Sequence, residues 1–245
     1  MSWNLIKAIQ KSQDVRLILP FGLNVKVGDV VSVNKNGEFT LQGTCASLLG
    51  VDGGRPRPPV AGRNIMAQSG KDTIFTFRAA GRPSAFFADA PCVNAGFDIA
   101  FEAKNSWLMA VSGRTLTSLH EVDRFRRPIL DAYRWKVWQP DWALITSVAS
   151  VDKMTLLAST NRNTKVALAL SGQVPVGGPL EAQFTAGASL LAMSQSIVQC
   201  IADAPSPAFC SGVRVVGRWF RDPTIGSLTK AVQTEGFWED LDSGL

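Results

Sequence analysis

The stretch from Trp142 to Leu170 limits the possible folds of this chain more than any other part of it. It reads as long strands joined by turns: Trp142 to Val151, Met154 to Thr160, a turn at Asn161-Arg162-Asn163, then Thr164 to Leu170. Thr, Val, Leu and Ile dominate, and asparagines supply the turn chemistry. One face of the first strand carries Trp142, Leu144, Thr146, Val148 and Ser150, and the other carries Ala143, Ile145, Ser147, Ala149 and Val151. Neither face is cleanly polar. Two readings follow: a sheet covered on both sides, or strands that must suit two environments in turn. Either way the spacing predicts a long hairpin over 142–170.

Other segments are read by the same rules. Trp3 to Ser12 has a helical stripe of Leu5, Ile6 and Ile9. Val25-Lys-Val27, Val30 to Val33 and Glu38 to Leu41 form a hairpin around Asn34-Lys-Asn-Gly37, because Asn and Gly tolerate positive φ. Cys45 to Leu49 is a helical turn stopped by Gly50. Val51 to Arg63, rich in Gly, Pro and Arg, is a loop. Thr73 to Arg78, Ala95 to Ala103 and Trp107 to Val111 are strands. In the second of these, Phe97, Ile99 and Phe101 alternate with Asp98, Ala100 and Glu102, so one face is buried and one is wet. Ser118-Leu-His-Glu121 fits a capping box for a helix carrying Leu119, Val122 and Phe125. Pro128 then opens a second helix with Ile129, Leu130 and Tyr133. Within Leu180 to Ala202 strands are favoured, Val213 to Phe220 is a final strand, and a tail runs from Pro223 to Leu245. The order of strands, helix pair, strands predicts an α+β fold: a single domain on one large, twisted, mostly antiparallel sheet flanked by short helices.

The chemistry of most enzyme classes is missing. The one histidine, His120, reads as a surface residue, which leaves no histidine-rich metal centre and little room for a triad. There is no nucleophile elbow, phosphate-binding loop or dinucleotide fingerprint. Cys45, Cys92, Cys200 and Cys210 form no Cys-x-x-Cys pair and read as buried thiols of a reducing compartment. No cofactor and no enzymatic activity are expected. No leader segment and no run of about 20 apolar residues is visible, which predicts a chain made soluble in the cytoplasm.

Charge is unevenly placed. The chain carries 25 Lys+Arg and 20 Asp+Glu, a net of +5. From Pro223 onward Lys230 stands against Glu235, Glu239, Asp240 and Asp242, so a body of +8 ends in a tail of −3. Basic candidates for an anionic partner are Arg55 and Arg57 in the loop and Arg124, Arg126 and Arg127 at the helix join. The tail is also apolar. Leu228, Val232, Phe237, Trp238 and Leu241 are the candidates for docking on the body, with Ser227 capping a short helix. An ordinary C-terminal element completing the core is the competing reading.

The order of these elements resembles the gasdermin family, in particular its bacterial members. The resemblance rests on the N-terminal helix and on Gly28-Asp-Val-Val with Gly37-Glu-Phe in the first hairpin. It rests further on the helix pair running into Tyr133-Arg-Trp135 and Trp142-Ala-Leu-Ile-Thr-Ser-Val148, on Pro207-Ala-Phe209, and on the short tail. It implies a pore-forming domain over 1–222 and an autoinhibitory segment over 223–245. The resting chain would be a cytoplasmic monomer. A protease, caspase-like and encoded nearby, would cut within Arg221, Asp222, Thr224, Ile225, Gly226 and Ser227. The body would then oligomerise on membrane lipid into a β-barrel pore that kills the cell, typically in defence against phage. Bacterial relatives usually carry an acylated cysteine near the start, whereas here no cysteine precedes Cys45. Two other readings stand beside it: a non-enzymatic binding or assembly protein, and a basic nucleic-acid binder, for which stacking aromatics are poorly provided.

Overall fold

The computed structural model describes residue 9 and residues 16–78, 96–170, 188–193, 197–202, 205–218 and 221–228. Ile9, helical and fully buried, is the described part of the expected N-terminal helix. The chain is an α+β protein of mostly antiparallel sheet with few short helices.

The main sheet is built on two long strands, β10 (Trp142–Val151) and β15 (Ser206–Arg218), paired antiparallel. The free edge of each is shared by two shorter strands. Along β10 these are β2 (Asp29–Val33), opposite Trp142 to Leu144, and β9 (Thr115–Ser118), opposite Ser147 to Ser150. Along β15 they are β1 (Arg16–Leu17) and β16 (Arg221–Ser227). β3 (Phe39–Thr44) pairs β2, and β4 (Val60–Ala61) pairs β9. The change of partner along β10 falls on a bulge between Ile145 and Ser147. There the Ile145 carbonyl accepts from Gly28 N–H at 2.9 Å and the Thr146 carbonyl from Leu119 N–H at 2.8 Å. A bulge frees backbone groups from the ladder, and here two incoming segments take them up.

The sheet is covered on both faces, one of the two readings that its mixed strand faces left open. On one lie α1 (Cys45–Leu49) and α2 (Arg126–Arg134), with Phe125, Ile129 and Trp138 packed on Val30, Leu144, Val213 and Ile225. On the other, Ile18, Val25, Phe39 and Leu228 meet Val31, Ala143, Ile145 and Cys210. α1 is held by a capping box that the sequence reading did not single out. Thr44 Oγ1 accepts from Ser47 N–H at 3.2 Å, and Ser47 Oγ accepts from Thr44 N–H at 2.9 Å. Gly50, left-handed at φ 63°, stops it.

Four expectations are corrected. The hairpin over 142–170 does not form: β10, β11 (Lys153–Ser159) and β12 (Thr164–Leu170) each enter a different sheet. The capping box at Ser118 does not form either, because Ser118 ends β9 opposite Ser147. A 3-10 turn at Asp123–Phe125 leads into α2, where Pro128 is the third residue, within the first turn that tolerates its missing N–H. Val25 to Val27 is not a strand, although the Asn34–Gly37 hairpin forms as expected. Finally, Val213 to Phe220 is not the last strand: β16 follows it, so the boundary placed at 222/223 falls inside a strand of the main sheet.

Candidate functional site

Two further sheets carry the feature with the clearest consequence. One has the order β14-β11-β8-β5 and the other the order β13-β12-β7-β6. Here β5 is Ile65–Gln68, β6 Thr73–Arg78, β7 Gly96–Phe101, β8 Trp107–Ser112, β13 Ala188–Met193 and β14 Ile197–Ala202. Each strand of one sheet runs by a short link into the strand at the same rank of the other. Four chain segments, 65–78, 96–112, 153–170 and 188–202, thus lie side by side, and the first three are each interrupted once, at the same level.

The two central segments keep one register through the interruption. Lys153 faces Ser112 and Ala158 faces Trp107 on one side, while Thr164 faces Phe101 and Ala169 faces Gly96 on the other. No residue is gained or lost between 102–106 and 159–163. Backbone bonds even cross the break: Ser159 N–H donates to the Ser106 carbonyl at 2.8 Å, and Asn105 N–H to the Ser159 carbonyl at 2.9 Å. Ser69 N–H reaches the Trp107 carbonyl and Glu102 N–H the Asp72 carbonyl, both at 2.9 Å.

What interrupts the strands is local. Each of the three described links holds one left-handed residue: Gly70 (φ 56°), Asn105 (φ 64°) and Asn163 (φ 55°). Asparagine adopts this conformation more readily than other side-chain-bearing residues because its short amide bonds locally. Asn163 lies in a turn visible in the sequence. Asn105 was missed, and its signal was an Asn between two apolar runs.

Burial differs between the two sheets. In the first, both faces of the central strands are buried, with Trp107, Met109, Met154 and Leu156 in the core cluster and Leu108, Ala110 and Leu157 also covered. In the second, Ile99, Phe101 and Val166 are buried while Thr76, Asp98 and Lys165 are exposed.

The expected site residues are placed as follows. Arg221, Asp222, Thr224, Ile225, Gly226 and Ser227 are not a linker but lie in β16, with Ile225 facing Val215 and Ser227 facing Val213; Ile225, Gly226 and Ser227 are buried. Leu228 is buried among Ile18, Val25 and Val31 rather than starting a helix. Its N–H donates to the Gly212 carbonyl at 2.7 Å, and its carbonyl accepts from Arg16 Nη1 at 3.1 Å. Val232, Phe237, Trp238 and Leu241 lie outside the described residues.

Arg16 is itself buried, 5.5 Å above the Phe39 ring. Burial pushes its guanidinium down to about 10, with Cys210 opposing and Arg214 adding to the effect. Arg57 and Arg124 pin the 51–63 loop. Arg57 N–H bonds the Ser118 carbonyl at 2.7 Å, and Arg124 bonds the Asp52 carbonyl while stacking on Phe125 at 4.9 Å. Arg55 and Arg126 are exposed, and Arg127 pairs with Asp131 at 3.8 Å. Among the described residues no group of three His, Cys, Asp or Glu is placed to hold a metal ion, and no helix is long and apolar enough to cross a membrane.

No protein-family profile and no curated protein matches this sequence. Among solved structures it is similar to a bacterial gasdermin from Bradyrhizobium tropiciagri, with 12% identity over 91% of this chain and 90% of that one and a TM-score of 0.35. A likeness that distant carries no weight here, and the functional reading rests on the strand geometry.

Proposed function

We propose that this chain is a latent pore-former whose four side-by-side segments straighten into membrane-spanning strands after its C-terminal segment is removed. The observation that carries the reading is the shared break: four antiparallel neighbours, in the same order on both sides, with the central pair in one register throughout. Straightening them requires a change at a few left-handed links and no re-pairing of the central strands. The segments run to 14–18 residues, beyond the ~9–11 that a tilted spanning strand needs. The second sheet alternates buried Ile99 and Phe101 with exposed Asp98, the two-faced pattern of a barrel wall.

Among the described residues, the outer strands of the array each have one unpaired edge. In lipid, open edges leave backbone groups unsatisfied, so many copies must close a ring. The reading therefore includes a resting cytoplasmic monomer, an activating protease, a homo-oligomeric pore in the membrane and no enzymatic activity. Cell death as anti-phage defence is its biological form.

Because β16 and Leu228 complete the core, the segment to be released is 229–245, not 223–245. It holds all four acids and the single lysine of the tail, so its loss still moves the net charge from +5 to +8. That favours anionic lipid by about 1 kcal/mol for each basic residue near the surface. The test is dye release from phosphatidylglycerol-containing vesicles by the chain ending at Leu228, compared with the full chain. Release by the shorter chain alone is expected, and a folded shorter chain that leaves vesicles intact overturns the proposal.

A further inference from the structure

We propose that two hydroxyl pairs, Ser69 with Thr73 and Ser159 with Thr164, are clasps that hold the links of segments 65–78 and 153–170 bent, and that both must open before those segments straighten. This deepens the pore-forming reading above, on which it rests, by naming what sets the threshold for the change. Its test compares closed and open forms of one molecule, so its failure and that of the pore reading are told apart.

The two pairs occupy equivalent places. Ser69 directly follows β5 and Thr73 opens β6, while Ser159 ends β11 and Thr164 opens β12. Ser69 Oγ lies 3.1 Å from Thr73 Oγ1, and Ser159 Oγ is hydrogen-bonded to Thr164 Oγ1. Every proton in each set has one acceptor. Trp107 N–H donates to Ser69 Oγ at 2.8 Å, Ser69 donates to Thr73, and Thr73 Oγ1 donates to the Trp107 carbonyl at 3.3 Å, which closes a ring. Ser159 Oγ donates to the Asn161 carbonyl and accepts from Asn161 N–H at 3.2 Å, so the Thr164 hydroxyl is the donor of that pair. Thr73, Ser159 and Thr164 are all buried, and a buried hydroxyl without a partner is costly.

A straight strand can keep neither pair. Residues four and five apart along a strand are separated by ~13 and ~17 Å, beyond the reach of two short side chains, and residues five apart also point to opposite faces. Segment 96–112 lies between the two clasps. Ser69 N–H reaches the Trp107 carbonyl at 2.9 Å from one side, and Ser159 N–H reaches the Ser106 carbonyl at 2.8 Å from the other. Side-chain clasps and backbone bonds therefore meet at one level across three neighbouring segments. Each clasp is made within its own segment, so it opposes straightening without opposing the pairing between strands. One net hydrogen bond per clasp shifts the balance between bent and straight links by about fivefold.

The test replaces each pair by cysteines, Ser69→Cys with Thr73→Cys and Ser159→Cys with Thr164→Cys, in the full chain carrying a site-specific protease sequence after Leu228. Each chain is oxidised at rest and its 69–73 or 159–164 disulfide is confirmed by peptide mass. It is then cut beside phosphatidylglycerol-containing vesicles, with and without reductant. Dye release is expected to be slower by about tenfold or more while the disulfide is closed, and to recover on reduction. The reduced form of the same molecule is the control for folding. Ser69→Ala with Thr73→Val, and Ser159→Ala with Thr164→Val, should each release dye about fivefold faster than the parent, and these apolar pairs decide the matter if a cysteine pair does not fold. Equal release by closed and reduced forms, no disulfide in the native full chain, or apolar pairs no faster than the parent overturns the inference and leaves the pore reading standing. A parent chain that releases no dye when cut overturns both.

Discussion

Asn105 donates its backbone N–H to the carbonyl of Ser159 at 2.9 Å from a left-handed conformation, at the level where the central pair of segments is interrupted. Asn163 is left-handed on the partner segment. A β-branched residue in either place is strained in that conformation and at ease in a straight strand. Asn105→Val and Asn163→Val should each destabilise the resting fold by about 1–2 kcal/mol and raise vesicle leakage by the chain ending at Leu228. Asn→Gly at the same positions should leave stability equal or higher and slow leakage. Urea melts read against leakage rates check both signs together.

Where the chain can be shortened without loss of fold follows from β16. Ile225 and Leu228 are buried at 4% and 1% exposure. A chain ending at Leu228 should melt cooperatively. A chain ending at Asp222 loses both side chains, about 3–6 kcal/mol of apolar burial, together with the ladder to β15, and should unfold or aggregate. Circular dichroism melts of the two lengths decide this. A folded chain ending at Asp222 would make β16 dispensable.

Gly212 faces Ile145 at the bulge where β10 changes partners. A Cβ there would stand 2.5 Å from the Leu144 carbonyl oxygen and 3.2 Å from Leu228 Cδ2. The backbone oxygen cannot step aside, so β15 must. Gly212→Ala should cost about 1–3 kcal/mol, the usual range for overpacking, seen as a lower urea midpoint with an unchanged slope.

Burial pushes the thiols of Cys45 and Cys210 up to about 12. The unfolded thiols ionise above about pH 8.5 while the folded ones stay protonated, so stability is full below that pH and falls as pH rises toward 12. Each thiol should contribute a slope of about 1.4 kcal/mol per pH unit in that window. A Cys45→Ala/Cys210→Ala chain should show a shallower decline between pH 9 and 10, and neither thiol should react with alkylating reagents in the native protein at pH 8.

Local chemistry was legible in the sequence and long-range pairing was not. Asn34 to Gly37 specified its own turn through Asn34 Oδ1, which accepts from Asn36 and Glu38 N–H at 2.9 and 3.0 Å. Gly50 specified its own helix stop. The runs at 142–170 announced strands but not their partners, because pairing is decided by segments far away in the chain, β15 for one and β8 and β14 for the next. Ser118 misled because the edge of β10 beyond Leu144 recruits Thr115–Ser118 more strongly than a capping box can hold it. Pro223 read as the start of a tail. In fact β16 pairs β15 alone among the described strands, with a register shift between Val216 and Arg218 opposite this proline, where no ladder bond is needed from it. The common level of the three described links became visible only once the strands were side by side.

Straightening of the interrupted segments is tested most directly by a distance. Lys153 in β11 and Lys165 in β12 are both exposed, one on each side of the link. Spin labels placed there can be measured by pulsed electron resonance in the resting full chain and in the chain ending at Leu228 on anionic vesicles. Twelve residues of continuous strand span about 40 Å, so a shorter, bent separation at rest that lengthens to that value on vesicles is the expected result. A separation that stays at its resting value while the vesicles leak would contradict straightening as the basis of the pore.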